Sequence, residues 1–250
     1  ANDGQLYLVF QPQCDHTAKR VAGVEALLRW DHPIYGPVAP PIIVALAEDT
    51  NLIDRLGKFV LLEACKQRAA WHPTVPHDLV IAVNITPSQL RNANFAQMVL
   101  GTLHGLGLTP TQLELEITES SILEPDARTL DLLTRLRVLG VRLAIDDFGM
   151  GHTSLRYIRA FPVTTVKVDR SLTESLNSNV QEQIVRSILD LSRSLRITTV
   201  VEGVEDEQQL RVFTGIGYHT FQGYYFSRPL SGADCLDFVL RYNGQKNQDT

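Results

Sequence analysis

Long apolar runs are absent: nothing in the sequence approaches the roughly 18 consecutive residues that a membrane-crossing helix needs, and no secretory signal opens it. The folded part is therefore expected to be soluble, cytoplasmic and without membrane contact of its own. The chain begins at Ala1 rather than Met and enters a strand almost at once, as a domain cut from a longer parent would, and that parent could itself be membrane-anchored. Cysteine is scarce. Cys14, Cys65 and Cys235 are odd in number and lack metal-ligand spacing, so neither a disulfide framework nor a zinc site is suggested and a reducing cytosol fits best. Positive charge is in deficit, with 23 Lys and Arg against 28 Asp and Glu and a net charge of −5. That balance argues against a clustered basic surface for a nucleic-acid polymer. A small anionic ligand remains compatible where metals or local cations offset the field. Repeats, low-complexity blocks and linkers are also missing, so residues 1–242 read as one domain and the polar stretch from Asn243 to Thr250 as a tail.

What is present is an alternation of apolar strand runs and helix-period segments. Leu6 to Cys14 and Val21 to Trp30 read as strands joined by six polar residues, too few for a parallel crossover, so they are expected to pair antiparallel. Further strand runs cover Leu79 to Asn84, Gln112 to Ile117, Val141 to Asp146, Val163 to Asp169, Ile197 to Glu202 and, more weakly, Tyr218 to Gln222. Helical periodicity is clearest over Arg55 to Ala70, Phe95 to Leu106, Ala127 to Leu139, Gln181 to Leu195 and Glu207 to Phe213. Strand alternating with helix implies a parallel sheet. Eight strands with one reversed imply a (βα)8 barrel whose first strand runs antiparallel to the rest.

Each strand, otherwise apolar, carries a polar residue at or near its end: Gln11, Glu25 with Arg29, Asn84, Glu116, Asp146, Lys167 with Asp169, Glu202 and Gln222. Unpaired carboxylates there would be costly to bury. In a barrel these ends share the face on which such folds place their chemistry, so the residues are expected to converge. The densest stretch is VRLAIDDFGMGHTS, Val141 to Ser154. Asp146 and Asp147 repel unless a positive charge sits between them, and successive strand residues point to opposite faces, so only a strand end brings both together. A metal pair answers this. An acidic turn in which Gly149 supplies positive φ answers it equally well from these residues alone.

The ordered set FQP at Phe10 to Pro12, EALLRW from Glu25, VNITPSQL from Val83, ELEITES from Glu114, DDFG from Asp146, VKVD from Val166, VEGVE from Val201 and QGYYFSRP from Gln222 resembles the EAL-domain cyclic di-GMP phosphodiesterases. The tripeptide Glu25-Ala26-Leu27 gives the family its name. The resemblance runs from Leu6 to Pro229 and implies a modified TIM barrel, with hydrolysis of one phosphodiester bond of cyclic di-GMP to linear pGpG. Glu25, Asn84, Glu116 and Asp146 offer four hard oxygen donors, which suits Mg²⁺ or Mn²⁺. By resemblance Asp146 and Asp147 hold a second ion roughly 3.5 to 4 Å away, giving two per site. Lys167 is the candidate to orient the attacking water or take its proton, for which its pKa would have to be lowered by two nearby cations; a plain ion pair with an aspartate such as Asp169 is the other reading. Glu202 is expected to serve the second ion's water shell or Lys167.

Substrate contacts carry over to Gln11, Asp169 and Gln222, while Arg29 can reach a phosphate and Leu27 a base. Glu119 resembles the glutamate that anchors the loop after Asp147. Glu205 is either a supporting residue or a first-turn helix carboxylate. The resemblance further implies a homodimer, with Ile158 and Phe161 as contact candidates that could equally pack on the barrel, and fusion to sensory or GGDEF domains. The alternative function is a silent EAL domain acting as a cyclic di-GMP receptor; an aldolase using Lys167 leaves the carboxylates unexplained. The family loop usually reads DDFGTGYSSL, and Met150, His152 and Thr153 depart from it here. Loss of the threonine hydroxyl at Met150 is expected to loosen the loop and weaken the second ion's site.

Overall fold

The computed structural model describes residues 4–119, 127–149, 161–174 and 179–244. The chain opens with the hairpin of β1 (Leu6–Asp15) and β2 (Arg20–His32), paired antiparallel from Leu6↔Trp30 to Asp15↔Arg20. Its turn is held by Asp15, whose side chain accepts the Ala18 N–H, and by Lys19 at a φ of 46°. A three-residue strand, β3 (Gly36–Val38), pairs with the far end of β2. Then β4 (Val80–Asn84), β5 (Leu113–Thr118), β6 (Arg142–Phe148), β7 (Thr165–Val168) and β8 (Thr198–Val201) follow in parallel from β2, and β9 (Thr220–Phe221) returns to pair antiparallel with β1. The result is a closed eight-stranded barrel, β1-β2-β4-β5-β6-β7-β8-β9, in which the first strand alone is reversed.

Alternation on each strand divides the molecule. On β5, Leu113, Leu115 and Ile117 are buried with Leu133, Leu136, Leu143 and Ile145 in the apolar cluster, while Glu114 and Glu116 are buried among polar groups. The helices covering the barrel start and stop on recognisable chemistry. Asp206 accepts the Gln209 N–H ahead of the helix Glu207–Ile216, which Gly217 ends at a φ of 110°. Numbered in chain order, the helices are α1 (Pro40–Asp49), α2 (Ile53–Ala70), α3 (Pro87–Leu90), α4 (Phe95–Gly105), α5 (Ala127–Val138), α6 (Arg170–Glu174), α7 (Asn179–Leu195), α8 (Glu207–Ile216) and α9 (Gly232–Gly244).

Sequence periodicity misses α1, α3, α6 and α9. The Pro40-Pro41 pair sits in the first turn of α1, where the missing N–H groups would have no helical partner. Helix α9 buries Cys235 and Val239 against the hairpin, and Asn243 accepts the Val21 N–H through Oδ1, so Asn243 and Gly244 belong to the fold rather than to a tail. Phe161 is 5% exposed within the core, which corrects its candidacy as a dimer contact. Ile158, Met150, His152 and Thr153 lie outside the described residues. Cys14, Cys65 and Cys235 are unpaired and buried, and burial pushes the Cys65 and Cys235 thiols up to about 12.

Candidate active site

Eight strands deliver eight polar side chains to one end of the barrel, and at their centre is Lys167 on β7, fully buried. Its ammonium lies 2.8 Å from Glu202 Oε1, 2.9 Å from Glu116 Oε2, 3.1 Å from Asp146 Oδ1 and 3.2 Å from Glu25 Oε2. Asp169 is not among these partners, and the aspartate that pairs with Lys167 is Asp146. Asn84 donates to Glu25 Oε1 at 2.7 Å, and Gln222 Nε2 donates to Glu25 Oε2 at 2.6 Å and to Gln11 Oε1 at 3.2 Å. Gln11 in turn donates to the Ser227 carbonyl at 3.1 Å, tying the layer to the segment that precedes α9.

An ammonium has three N–H groups, and four carboxylates surround this one. The shortfall is visible: Glu116 Oε1 is buried with no partner, and Asp146 Oδ1 has only the charge of Lys167 and no directed bond. Burial alone would push Lys167 down, yet the charges of Asp146, Glu116, Glu202 and Glu25 outweigh it and hold the ammonium well above the usual lysine range. The lowered pKa expected of Lys167 was tied to two bound cations, and it is the four carboxylates alone that set the direction here. Burial also acts against ionised Glu25, but Lys167, Gln222 and Asn84 more than offset it and its pKa is lowered. Glu116 is raised well above the usual range by burial and then by the charge of Glu25. Burial pushes Glu202 up to about 8 against the pull of Lys167, with Asp146 and Glu25 adding to the rise.

Asp147 reaches the site by a backbone route that strand alternation does not provide. Register between β6 and β7 shifts between Ile145 and Phe148, and Asp147 takes a φ of 56°, a left-handed conformation that aspartate tolerates better than most residues. One oxygen each of Asp146, Asp147 and Glu202 then fall within 4.8 Å of one another. Loss of hydration, followed by the charges of Asp146 and Asp169, pushes Asp147 up to about 6. Gly149, at a φ of 107°, donates its N–H to Glu119 Oε2 at 2.9 Å, and a Cβ there would stand 2.5 Å from Leu172 Cδ1. Both Asp147 and Gly149 thus use positive φ, where the sequence reading offered only Gly149.

A cavity of about 270 Å³ opens above the cluster, lined among others by Gln11, Glu25, Asp147, Asp169, Glu202 and Gln222. Leu27 and Arg29 are not in that lining; they lie further along β2, half-buried, and Arg29 donates to the Leu28 carbonyl at 2.8 Å. Glu205 is at the rim, but α8 starts only at Glu207, so it is no first-turn carboxylate; it pairs with Arg170 at 3.0 Å. Asp169 accepts the Ser171 N–H at the start of α6, and its charge is among those that raise Asp147. The cavity lining also contains Arg170, Gly203, Gly223 and Tyr224, to which the sequence reading gave no role, because none of them is a polar residue interrupting an apolar strand.

The donor set fits a hard divalent cation. It consists of oxygen donors with no thiolate or imidazole, has more carboxylates than the lysine can serve, and leaves a buried carboxylate oxygen without a partner. Fold and site together define a (βα)8-type barrel with an acidic cluster, able to bind metal, at the strand ends.

The sequence model of the EAL domain matches residues 1–229, and the chain belongs to the EAL domain family. The bifunctional diguanylate cyclase/cyclic di-GMP phosphodiesterase MucR of Pseudomonas aeruginosa is 37% identical over 94% of this chain, which spans 34% of MucR. The cyclic di-GMP phosphodiesterase NbdA of the same organism is 38% identical over 96% of the chain, which spans 31% of NbdA. The oxygen sensor protein DosP of Escherichia coli is 36% identical over 92%, the chain spanning 29% of it. The chain therefore covers about a third of the length of these relatives. Among solved structures, the PaMucR phosphodiesterase in its c-di-GMP complex superposes with a TM-score of 0.87 at 37% identity, over 92% of this chain and 94% of that one.

Proposed function

We propose that the chain hydrolyses cyclic di-GMP to linear 5′-pGpG in a metal-dependent reaction. The observation that carries this reading is the ring of Glu25, Glu116, Asp146 and Glu202 around Lys167, with Asp147 turned toward it, in a chain whose relatives include cyclic di-GMP phosphodiesterases. Glu25, Asn84, Glu116 and Asp146 would hold one Mg²⁺ or Mn²⁺, and Asp146 with Asp147 a second. When bound, such ions neutralise the phosphate charge and acidify a water.

The protein's own contribution is proton handling and orientation. Lys167, charged and central, presents N–H groups that orient a water, and it could accept a proton only after first giving one up, which its four carboxylates oppose. Glu202, raised to about 8, stands next to it and exchanges a proton near neutral pH. Gln11 and Gln222 present amide groups, and Asp169 a carboxylate, that match guanine edges. Leu27 and Arg29 serve from further along β2. Glu119 holds the loop after Asp147 through the Gly149 N–H, and Glu205 acts through Arg170.

The relatives' greater length supports a place in a multidomain signalling protein, with sensory or GGDEF partners in the same polypeptide. Homodimerisation rests on family resemblance, without Phe161. Among the described residues no helix is long and apolar enough to cross a membrane. The test is product analysis after incubation with cyclic di-GMP and Mg²⁺, Mn²⁺ or EDTA. The linear product should form with either metal and not in EDTA. Metal-independent cleavage would remove the metal from the reading, and tight binding without product would make the chain a receptor.

A further inference from the structure

The acidity of the cavity poses a problem that the metal ligands do not solve alone. Glu25, Asp147, Asp169, Glu202 and Glu205 line it, and among the described lining residues the one cation is Arg170. The residue that the sequence assigned to a phosphate, Arg29, donates to its neighbour's carbonyl outside the lining.

Arg170 is held there by three independent features. Its Nη2 pairs with Glu205 Oε1 at 3.0 Å. Its stem lies across Gly203, where φ is 65° and a Cβ would stand 2.4 Å from Arg170 Cγ and 2.8 Å from its Cβ. The loop carrying Gly203 and Glu205 is itself pinned. Tyr225 donates its N–H to the Val204 carbonyl at 3.0 Å, Val204 donates to the Gln222 carbonyl at 3.2 Å, and Gly223 packs so close that a Cβ would meet Val204 O at 2.1 Å. The guanidinium is half exposed at the rim, and its planar fork of N–H donors matches a phosphate as it matches a carboxylate.

We propose that Arg170 is a substrate-binding residue that grips the phosphate of the cyclic dinucleotide not undergoing cleavage, with Glu205 and Gly203 as its positioning residues. The inference rests on the cyclic di-GMP reading above. A cyclic dinucleotide has two phosphates on opposite sides of one ring. The metal cluster answers one of them, and a fixed cation at the rim answers the other. Because this contact is made before and during cleavage alike, it acts on binding rather than on the chemical step.

The experiment compares the parent chain with Arg170→Ala, Arg170→Lys and Glu205→Gln, measuring kcat and KM with Mg²⁺ and the equilibrium Kd for cyclic di-GMP. Arg170→Ala should raise KM and Kd about tenfold or more with kcat within about twofold, and Arg170→Lys should recover part of the loss. Glu205→Gln, which loosens the guanidinium without removing it, should fall between parent and Arg170→Ala. An Arg170→Ala enzyme with KM and Kd within about twofold of the parent overturns the proposal, as does a collapse of kcat at unchanged KM. The two readings fail differently: a parent that binds but does not hydrolyse overturns the phosphodiesterase while the Kd series still decides Arg170, and a parent that does neither overturns both.

Discussion

Lys167 is surrounded by more negative charge than it can neutralise, and that imbalance decides how single substitutions behave. Removing the ammonium leaves Glu25, Glu116, Asp146 and Glu202 facing one another in a buried space, a loss of order 3 kcal/mol or more without metal. Lys167→Ala is therefore expected to lower Tm in EDTA, to regain much of it on addition of Mg²⁺, and to lose about 100-fold or more in kcat with KM little changed. Thermal melts with and without metal, set beside steady-state kinetics, check this; a rise in KM at full kcat would make Lys167 a binding residue. At this scale the sequence was legible wherever a polar residue interrupts an apolar strand, as at Glu25, Glu116 and Lys167. It was not legible where the backbone departs from the strand: nothing in the residue types of Asp146-Asp147 announces the register shift that turns the second carboxylate inward. Nor could the pKa of Lys167 be assigned before its four partners were placed.

Among the elements, those with strong periodicity were readable and those defined by tertiary contact were not. The cores of α2, α4, α5, α7 and α8 coincide with the helical repeats, within two or three residues at the ends. Helix α9 went unread because its value lies in contacts far along the chain, such as Trp71 donating to the Gly232 carbonyl and Asn243 accepting from Val21. Strand β9 is two residues long and exists because β8 and β1 flank it. Two glycines show how element context sets the sign of one substitution. Gly215 lies inside α8 with nothing near a would-be Cβ, so Gly215→Ala should stabilise by about 0.5 to 1 kcal/mol. Gly223, against the backbone of Val204, has no room, so Gly223→Ala should destabilise by about 2 kcal/mol and raise KM by displacing the rim. Denaturant melts of both variants test the pair; a neutral Gly223→Ala would show that the two loops are not locked together.

For the whole molecule, the cluster predicts how stability follows pH. Glu202 and Asp147 are carboxyls whose folded pKa values, about 8 and about 6, lie above the ordinary 4.5 and 3.8. Between ordinary and folded values the folded state binds more protons than the unfolded one, so this contribution is complete at low pH and is lost as pH rises toward 8. Without metal, stability is expected to decline across that window, and Glu202→Gln should flatten the decline. A divalent ion competes with those protons, so the rise in Tm on adding Mg²⁺ should be larger at pH 8 than at pH 6. An equal rise at both values would separate the metal from these carboxyls.

The proposed metal-dependent phosphodiesterase centre is the ring of carboxylates around Lys167. The most direct measurement is turnover of cyclic di-GMP to its linear product by Glu25→Ala beside the parent chain, at saturating Mg²⁺, with folding verified by circular dichroism. Glu25 touches Lys167, Asn84 and Gln222 at once, and its loss opens the ring. The expected result is a folded protein whose turnover falls by more than about 100-fold, beyond what loss of a residue supporting a ligand costs. Unimpaired turnover in that variant would contradict it.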